Sequence, residues 1–314
     1  MRRRSPPTDR VIALLEVLAA RPGQPLTSSE LARRVDITRT TCHSLLMTLA
    51  DAGYLVRDAR TKAYTLGPAL IALGQAAQRS FPSVQLARGE LERLHRRTGM
   101  ACTASAVIGG DIVVIDRVGE DDDAGTARRG RCTPLAAPFG ALHVAWSTPE
   151  DVTAWIERTA EDVTDGRRAE YDKLLAALRR HRYAVSPLDE TGIRLRGQLL
   201  ELAADVSSGE LGTMAVALAS ALRSRDYLPD ELAPGRELGV DTIAAPVFDA
   251  GARPDFVLGV QVRRRQMPTE DVAGLASDLL DATRRMTRLV GGGEPTSEVV
   301  EGLVRSGPRG EERP

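Results

Sequence analysis

Aromatic residues are scarce in this chain. Phe, Trp and Tyr make up 4% of 314 residues, so any core must be built from Leu, Val, Ile and Ala. Cysteine is scarcer still. Cys42, Cys102 and Cys132 are odd in number and widely spaced, which gives no disulfide framework and no Cys-x-x-Cys zinc spacing. A reducing cytoplasm is the expected setting. The four histidines, His43, His95, His143 and His181, also lack metal-ligand spacing, and no metal or other cofactor is expected. Long apolar runs are missing, so no membrane span is expected. "MRRR" followed by "VIALLEVLAA" imitates an export signal, but Glu16 interrupts the run and Pro6, Pro7 and Asp9 precede it. That stretch reads as a buried amphipathic helix instead. "EDDD" at 120–123 lacks the ligand alternation of a calcium loop, "GGG" at 291–293 lacks the setting of a phosphate loop, and no Gly-x-Ser-x-Gly elbow occurs. The chain does not read as an enzyme. A Cys132–His143 nucleophile pair, making a Cys-dependent hydrolase, is kept as a distant rival.

Net charge is nearly absent too, at −1, but the near-zero sum conceals an asymmetry. Residues 1–64 hold 11 Lys/Arg against 6 Asp/Glu, a balance of +5; the remainder holds 31 against 37, a balance of −6. A basic head on an acidic body suits a head that meets a polyanion. With 42% hydrophobic residues, the length allows two folded domains.

The head has a legible pattern. After a basic arm at 1–7, expected to be disordered, Thr8 or Asp9 caps a helix running to about Ala20. Thr27 and Glu30 have capping-box spacing and start a second helix, which ends near Val35. A third runs from about Arg39 to Ala52 and stops at Gly53. "YLVRD" and "KAYTL" then alternate as a hairpin around "ARTK". Two short helices and a hairpin make a winged helix-turn-helix, whose recognition helix enters the major groove. Thr38, Arg39, Thr40, Thr41, His43 and Ser44 fill the first turns of that helix. Arg33 and Arg34 close the preceding helix, and Arg60 and Lys62 mark the wing tip, where cations can reach phosphates. A small helical domain with a solvated charged face would show a similar pattern.

"LTSSELARRVDITRTTCHSLLMTLADAGYLVRDARTKAYTLGPALIALG" resembles the DNA-binding domain of IclR-type bacterial transcription regulators. The match lies in Thr40-Thr41, Leu45-Leu46, Gly53-Tyr54 and Tyr64-Thr65-Leu66-Gly67. Ser44 departs from the pattern: it stands where the family commonly has Arg, so a major-groove contact is lost or passes to Arg39 or His43. The resemblance continues more weakly through "GRCTPLAAPFGALHVAWS" and "DTIAAPVFDAGARPDFVLGVQV". It implies an α+β chain: a winged head at 8–67, a helical linker and dimerisation segment at 68–97, and a GAF-like α/β effector domain at 98–290. An insertion near 190–238 and a disordered tail at 291–314 depart from the pattern. "QLLELAADVSS" and "GTMAVALASALRS" within the insertion read as helical.

The resemblance further implies a cytoplasmic DNA-binding regulator, a repressor in our reading, acting as a homodimer or dimer of dimers on a pseudo-palindromic operator in double-stranded DNA. Its affinity for DNA would respond to a small organic effector, often a carboxylate or aromatic acid in this family. Candidate effector contacts are Cys102, Ser105, Asp116, Thr133, Phe139, His143, Asp241 and Thr242. Ala136, Pro138, Phe139 and Leu142 replace normally more polar family positions, which leaves open a more hydrophobic effector or a pocket filled by its own side chains.

Overall fold

The computed structural model describes residues 5–19, 23–79, 82–120, 132–159, 163–188 and 229–295, with a few single positions between these. The arm at 1–4, most of the 121–131 loop, nearly all of the 190–228 stretch with its two helical readings, and the tail from 296 lie outside the described residues. The described residues fall into two compact units, one through Pro82 and one from Ser83.

In the first unit, α1 spans Pro6–Ala19 and buries Leu14 and Leu18. It begins earlier than expected. Pro6 and Pro7 lie within its first turn, where a missing N–H costs nothing, and Asp9 sits inside the helix rather than capping it. A two-residue strand, β1 (Leu26–Thr27), leads into α2 (Ser28–Arg34). The capping box forms as its spacing demands: Thr27 Oγ1 accepts from Glu30 N, and the Glu30 carboxylate accepts from Thr27 N at 2.7 Å. Those bonds hold the Glu30 carboxyl below its usual range. Helix α3 covers Arg39–Asp51 and is capped by Thr38, whose Oγ1 accepts from Thr41 N at 3.2 Å. Strands β2 (Leu55–Arg57) and β3 (Ala63–Leu66) pair antiparallel, and β1 joins the other side of β3. Leu14, Leu31, Cys42, Leu46 and Tyr64 make the small core beneath them. Gly67 ends the wing for a steric reason: a Cβ there would stand 2.3 Å from the Gly53 carbonyl oxygen. Helix α4 (Ala69–Arg79) follows.

The second unit opens with α5 (Pro82–Thr98). Strands β4 (Ala101–Ile108) and β5 (Asp111–Val118) form an antiparallel hairpin. Then come β6 (Cys132–Pro134), α6 (Ala141–Val144), α7 (Pro149–Glu157), α8 (Asp165–His181) and β7 (Ala184–Pro187). A long hairpin of β8 (Glu237–Phe248) and β9 (Pro254–Pro268) leads into α9 (Thr269–Leu289). Pro268 is the N-cap of α9, and Thr269 Oγ1 accepts from Arg236 N at 3.3 Å.

All six strands form one antiparallel sheet in the order β6-β5-β4-β9-β8-β7. Alternation along β4, β8 and β9 sends Cys102, Ala104, Ile243, Ala245, Leu258 and Val260 to one face, against Leu91 and Leu94 of α5 and Leu279 and Met286 of α9. Ala244 and Val257 point the other way, against Trp155, Tyr171 and Leu175. Trp155 is 1% exposed, and its indole N–H donates to the Phe139 carbonyl at 2.7 Å. That bond avoids the ~1–3 kcal/mol cost of a buried unpaired donor.

Candidate DNA interface and effector face

One long side of α3 is open. Arg39, Thr40, His43, Ser44 and Thr48 are exposed, while Cys42 and Leu46 are fully buried. The periodicity of a helix puts these exposed residues on one stripe, so the recognition helix can be presented to a groove. Thr38 and Thr41 of the expected set also serve the cap, with their hydroxyls 2.9 Å apart. Thr48, one turn beyond Ser44, was missed by the sequence reading. It lies on the open stripe, and its Oγ1 donates to the Ser44 carbonyl at 3.1 Å.

The wing tip is shaped by Asp58. Its Oδ1 accepts from Arg60 N at 2.9 Å, Thr61 N at 2.6 Å and Thr61 Oγ1 at 2.8 Å. These bonds depress its carboxyl pKa, and they hold exposed Arg60 and Lys62 at the turn. Among the described residues, Arg33, Arg34, Arg39, Arg57, Arg60 and Lys62 make no ion pair. The second unit differs. There Arg88, Arg97, Arg167, Arg182, Arg284 and Arg285 each meet a carboxylate. Among the described residues, these six cations of the head thus have no carboxylate within ion-pair distance, which leaves them able to meet phosphates.

The expected effector contacts divide between the sheet faces. Cys102 is wholly buried on the face covered by α5 and α9, where desolvation raises its thiol pKa to about 12. Asp116 pairs in register with Ala104, and its carboxylate takes Arg88 of α5 at 3.1 Å and Arg117 N at 2.7 Å. These two are core and helix-anchoring groups, and they do not gather with the others. Asp241 sits in a β-bulge, between Val240 paired to Arg264 and Thr242 paired to Gln261. Thr133 lies on edge strand β6 opposite Ile112, and the Phe139 carbonyl is taken by Trp155. Burial pushes the His143 imidazole down to about 4, so it is neutral at ordinary pH.

Ser105 pairs with Val257 and so lies on the α6–α8 side of the sheet. Thr242 lies near Thr103 and Gln261, around Gly259. Thr242 Oγ1 donates to Gln261 Oε1 at 3.3 Å. A Cβ on Gly259 would stand 3.0 Å from Thr103 Oγ1 and 3.6 Å from Thr242 Cγ2. Ser186, in register with Thr242, donates to Asp226 Oδ1 at 2.6 Å. Thr103 and Gln261 were missed by the sequence reading. Their signal was slight: Thr103 interrupts the small residues at the start of β4, and Gln261 sits between Val260 and Val262. The patch is small and rich in hydrogen-bonding groups, with the Arg263 guanidinium donating to Gln261 Oε1 at 3.4 Å, on a sheet face otherwise packed with apolar side chains. Among the described residues, no cluster of His, Cys, Asp and Glu is arranged to hold a metal ion, and no helix is long and apolar enough to cross a membrane.

Comparisons with known proteins agree with this geometry. Residues 7–59 match the family model of the IclR helix-turn-helix domain. The HTH-type transcriptional regulator BhcR of Paracoccus denitrificans is 29% identical over 210 residues, covering 64% of this chain and 74% of BhcR. An IclR transcriptional regulator from Alicyclobacillus acidocaldarius superposes with a TM-score of 0.62 at 20% identity, covering 92% of this chain and all of that one. An IclR homologue from Microbacterium hydrocarbonoxydans, complexed with 4-hydroxybenzoate, has a TM-score of 0.59 at 17% identity and covers 91% and 99%. The chain thus carries a helix-turn-helix domain of the IclR type at residues 7–59, and its described residues share the fold of solved IclR regulators.

Proposed function

We propose that the protein is an effector-responsive repressor that binds a pseudo-palindromic operator as a homodimer or a dimer of dimers. The observation that carries the reading is the head's open α3 stripe flanked by cations that form no ion pair among the described residues. Arg39, Thr40, His43 and Ser44 would read base edges; Arg33, Arg34, Arg60 and Lys62 would hold phosphates; Thr38 and Thr41 would fix the helix start. Two-fold symmetry in the protein would be matched by symmetry in the operator. Helix α4 supports pairing of heads, because Ile71 is 65% and Leu73 51% exposed on it.

The effector would lie on the α6–α8 side of the sheet, over Ser105 and Thr242 with Thr103 and Gln261. Aromatic acids are the first class to screen, given the 4-hydroxybenzoate held by the Microbacterium homologue. A ligand can move DNA affinity only through its different affinity for two arrangements, typically ~1–3 kcal/mol of coupling. Selection of bound duplexes from a random library tests the DNA half, and a pool with no enriched two-fold sequence would overturn it. Thermal-shift screening of small aromatic and aliphatic acids tests the effector half. A hit must also alter affinity for the selected duplex; hits that leave it unchanged would count against regulation.

A further inference from the structure

Arg57 belongs to neither part of the head that the sequence offers to DNA. It is the last residue of β2, outside both α3 and the wing tip. In the hairpin it stands directly across from Tyr64. Its guanidinium carbon lies 5.9 Å from the centre of the Tyr64 ring, within cation–π range. Tyr64 is 1% exposed, and its hydroxyl lies 3.8 Å from the Met47 sulfur on α3. The ring is thus held by the recognition helix, and the cation is held by the ring.

Arg57 itself is exposed. Its neighbour Asp58 is the obvious internal partner, but that carboxylate is committed to the Arg60 and Thr61 groups of the turn. Among the described residues Arg57 makes no ion pair. A planar fork of donors, kept in place by an aromatic face and left without an anion, is suited to a phosphate. Ordering it beforehand removes part of the entropy cost that a free Arg side chain would meet on binding.

We propose that Arg57 is a backbone clamp for duplex DNA, taking a phosphate at the seam where the recognition helix meets the wing. The clamp rests on the DNA-binding assignment above but is separate from the base-reading stripe. It contributes affinity without sequence preference, so its test does not need the operator.

The probe is a short fluorescein-labelled duplex of random sequence, titrated with the full-length protein by anisotropy at several salt concentrations. Neutralising one phosphate carries a salt exponent of about 0.9, so Arg57→Ala should weaken binding about eight-fold near 0.1 M salt and make the salt slope shallower by about 0.9. Arg57→Gln, which keeps the aliphatic stem over the ring, should show the same loss. Arg57→Lys keeps the charge and should keep the slope. Unchanged affinity and slope in both neutral variants, with Lys62→Ala still weakened, would overturn the clamp and leave the DNA-binding reading standing. A lowered Tm with an unchanged slope would overturn it as well, showing the stack to be only structural. Failure of the wild type to bind any duplex would remove both.

Discussion

At the scale of single residues, the head divides its work by chemistry. Arg39 lies in the first turn of α3 on the open stripe, so Arg39→Ala should relax base preference and cost ~1–3 kcal/mol on the best duplex. Lys62 lies at the wing tip, so Lys62→Ala should weaken all duplexes alike and flatten the salt dependence by about one ion. Competition between selected and random duplexes separates the two effects. In the body, His143 makes a different prediction. Its folded pKa, about 4, lies below the ordinary 6.5, so the unfolded chain binds its proton first as pH falls. Stability should be full above pH 6.5 and decline toward pH 4, by no more than about 3 kcal/mol from this group. Denaturant melts of wild type and His143→Gln across that window check it; parallel curves would show that His143 is not the source.

At the scale of elements, a buried ion pair fixes α5 to α9. Glu90 is 5% exposed and accepts from Arg285 Nε at 3.2 Å, with Arg93 at 3.7 Å. Its carboxylate holds the Arg285 guanidinium charged, with a pKa above the usual value. Removing one partner of a buried pair typically costs ~3–5 kcal/mol, but Arg285 is partly exposed and can turn to water. Glu90→Ala should therefore cost ~1–3 kcal/mol, with Glu90→Gln in between, measured by denaturant unfolding. The elements also show what a sequence can and cannot convey. The Thr27–Glu30 box was readable because it is a local bond between residues three apart; Thr38 caps α3 through the same spacing but was read as part of the helix's first turns. Strands β1 and β6 were not, because two or three residues carry no periodicity and are strands only by pairing with β3 and β5. The start of α1 was misplaced because Pro6 and Pro7 read as a break, although a first turn accepts them.

At the scale of the whole molecule, charge placement was legible and facing was not. The basic head and acidic body could be counted from residues alone. Which cations remain unpaired could not, since Arg88 finds Asp116 and Arg97 finds Asp278 only after folding. Cys102 and Thr103 are adjacent in sequence, yet one belongs to the helix-covered face and the other to the candidate effector face. A pattern of alternation says that neighbours part company; it does not say which of them meets a ligand.

The bare backbone at Gly259 gives an experimenter a one-carbon plug. Gly259→Ala would add a methyl beside the Thr103 hydroxyl at 3.0 Å, tight enough to fill the floor of that patch without reaching the head's own core. If a metabolite rests there, the substituted protein should grip its DNA normally and no longer answer to the metabolite, giving a deaf regulator. Retained responsiveness in a reporter strain would send the search for the sensing site to another part of the molecule.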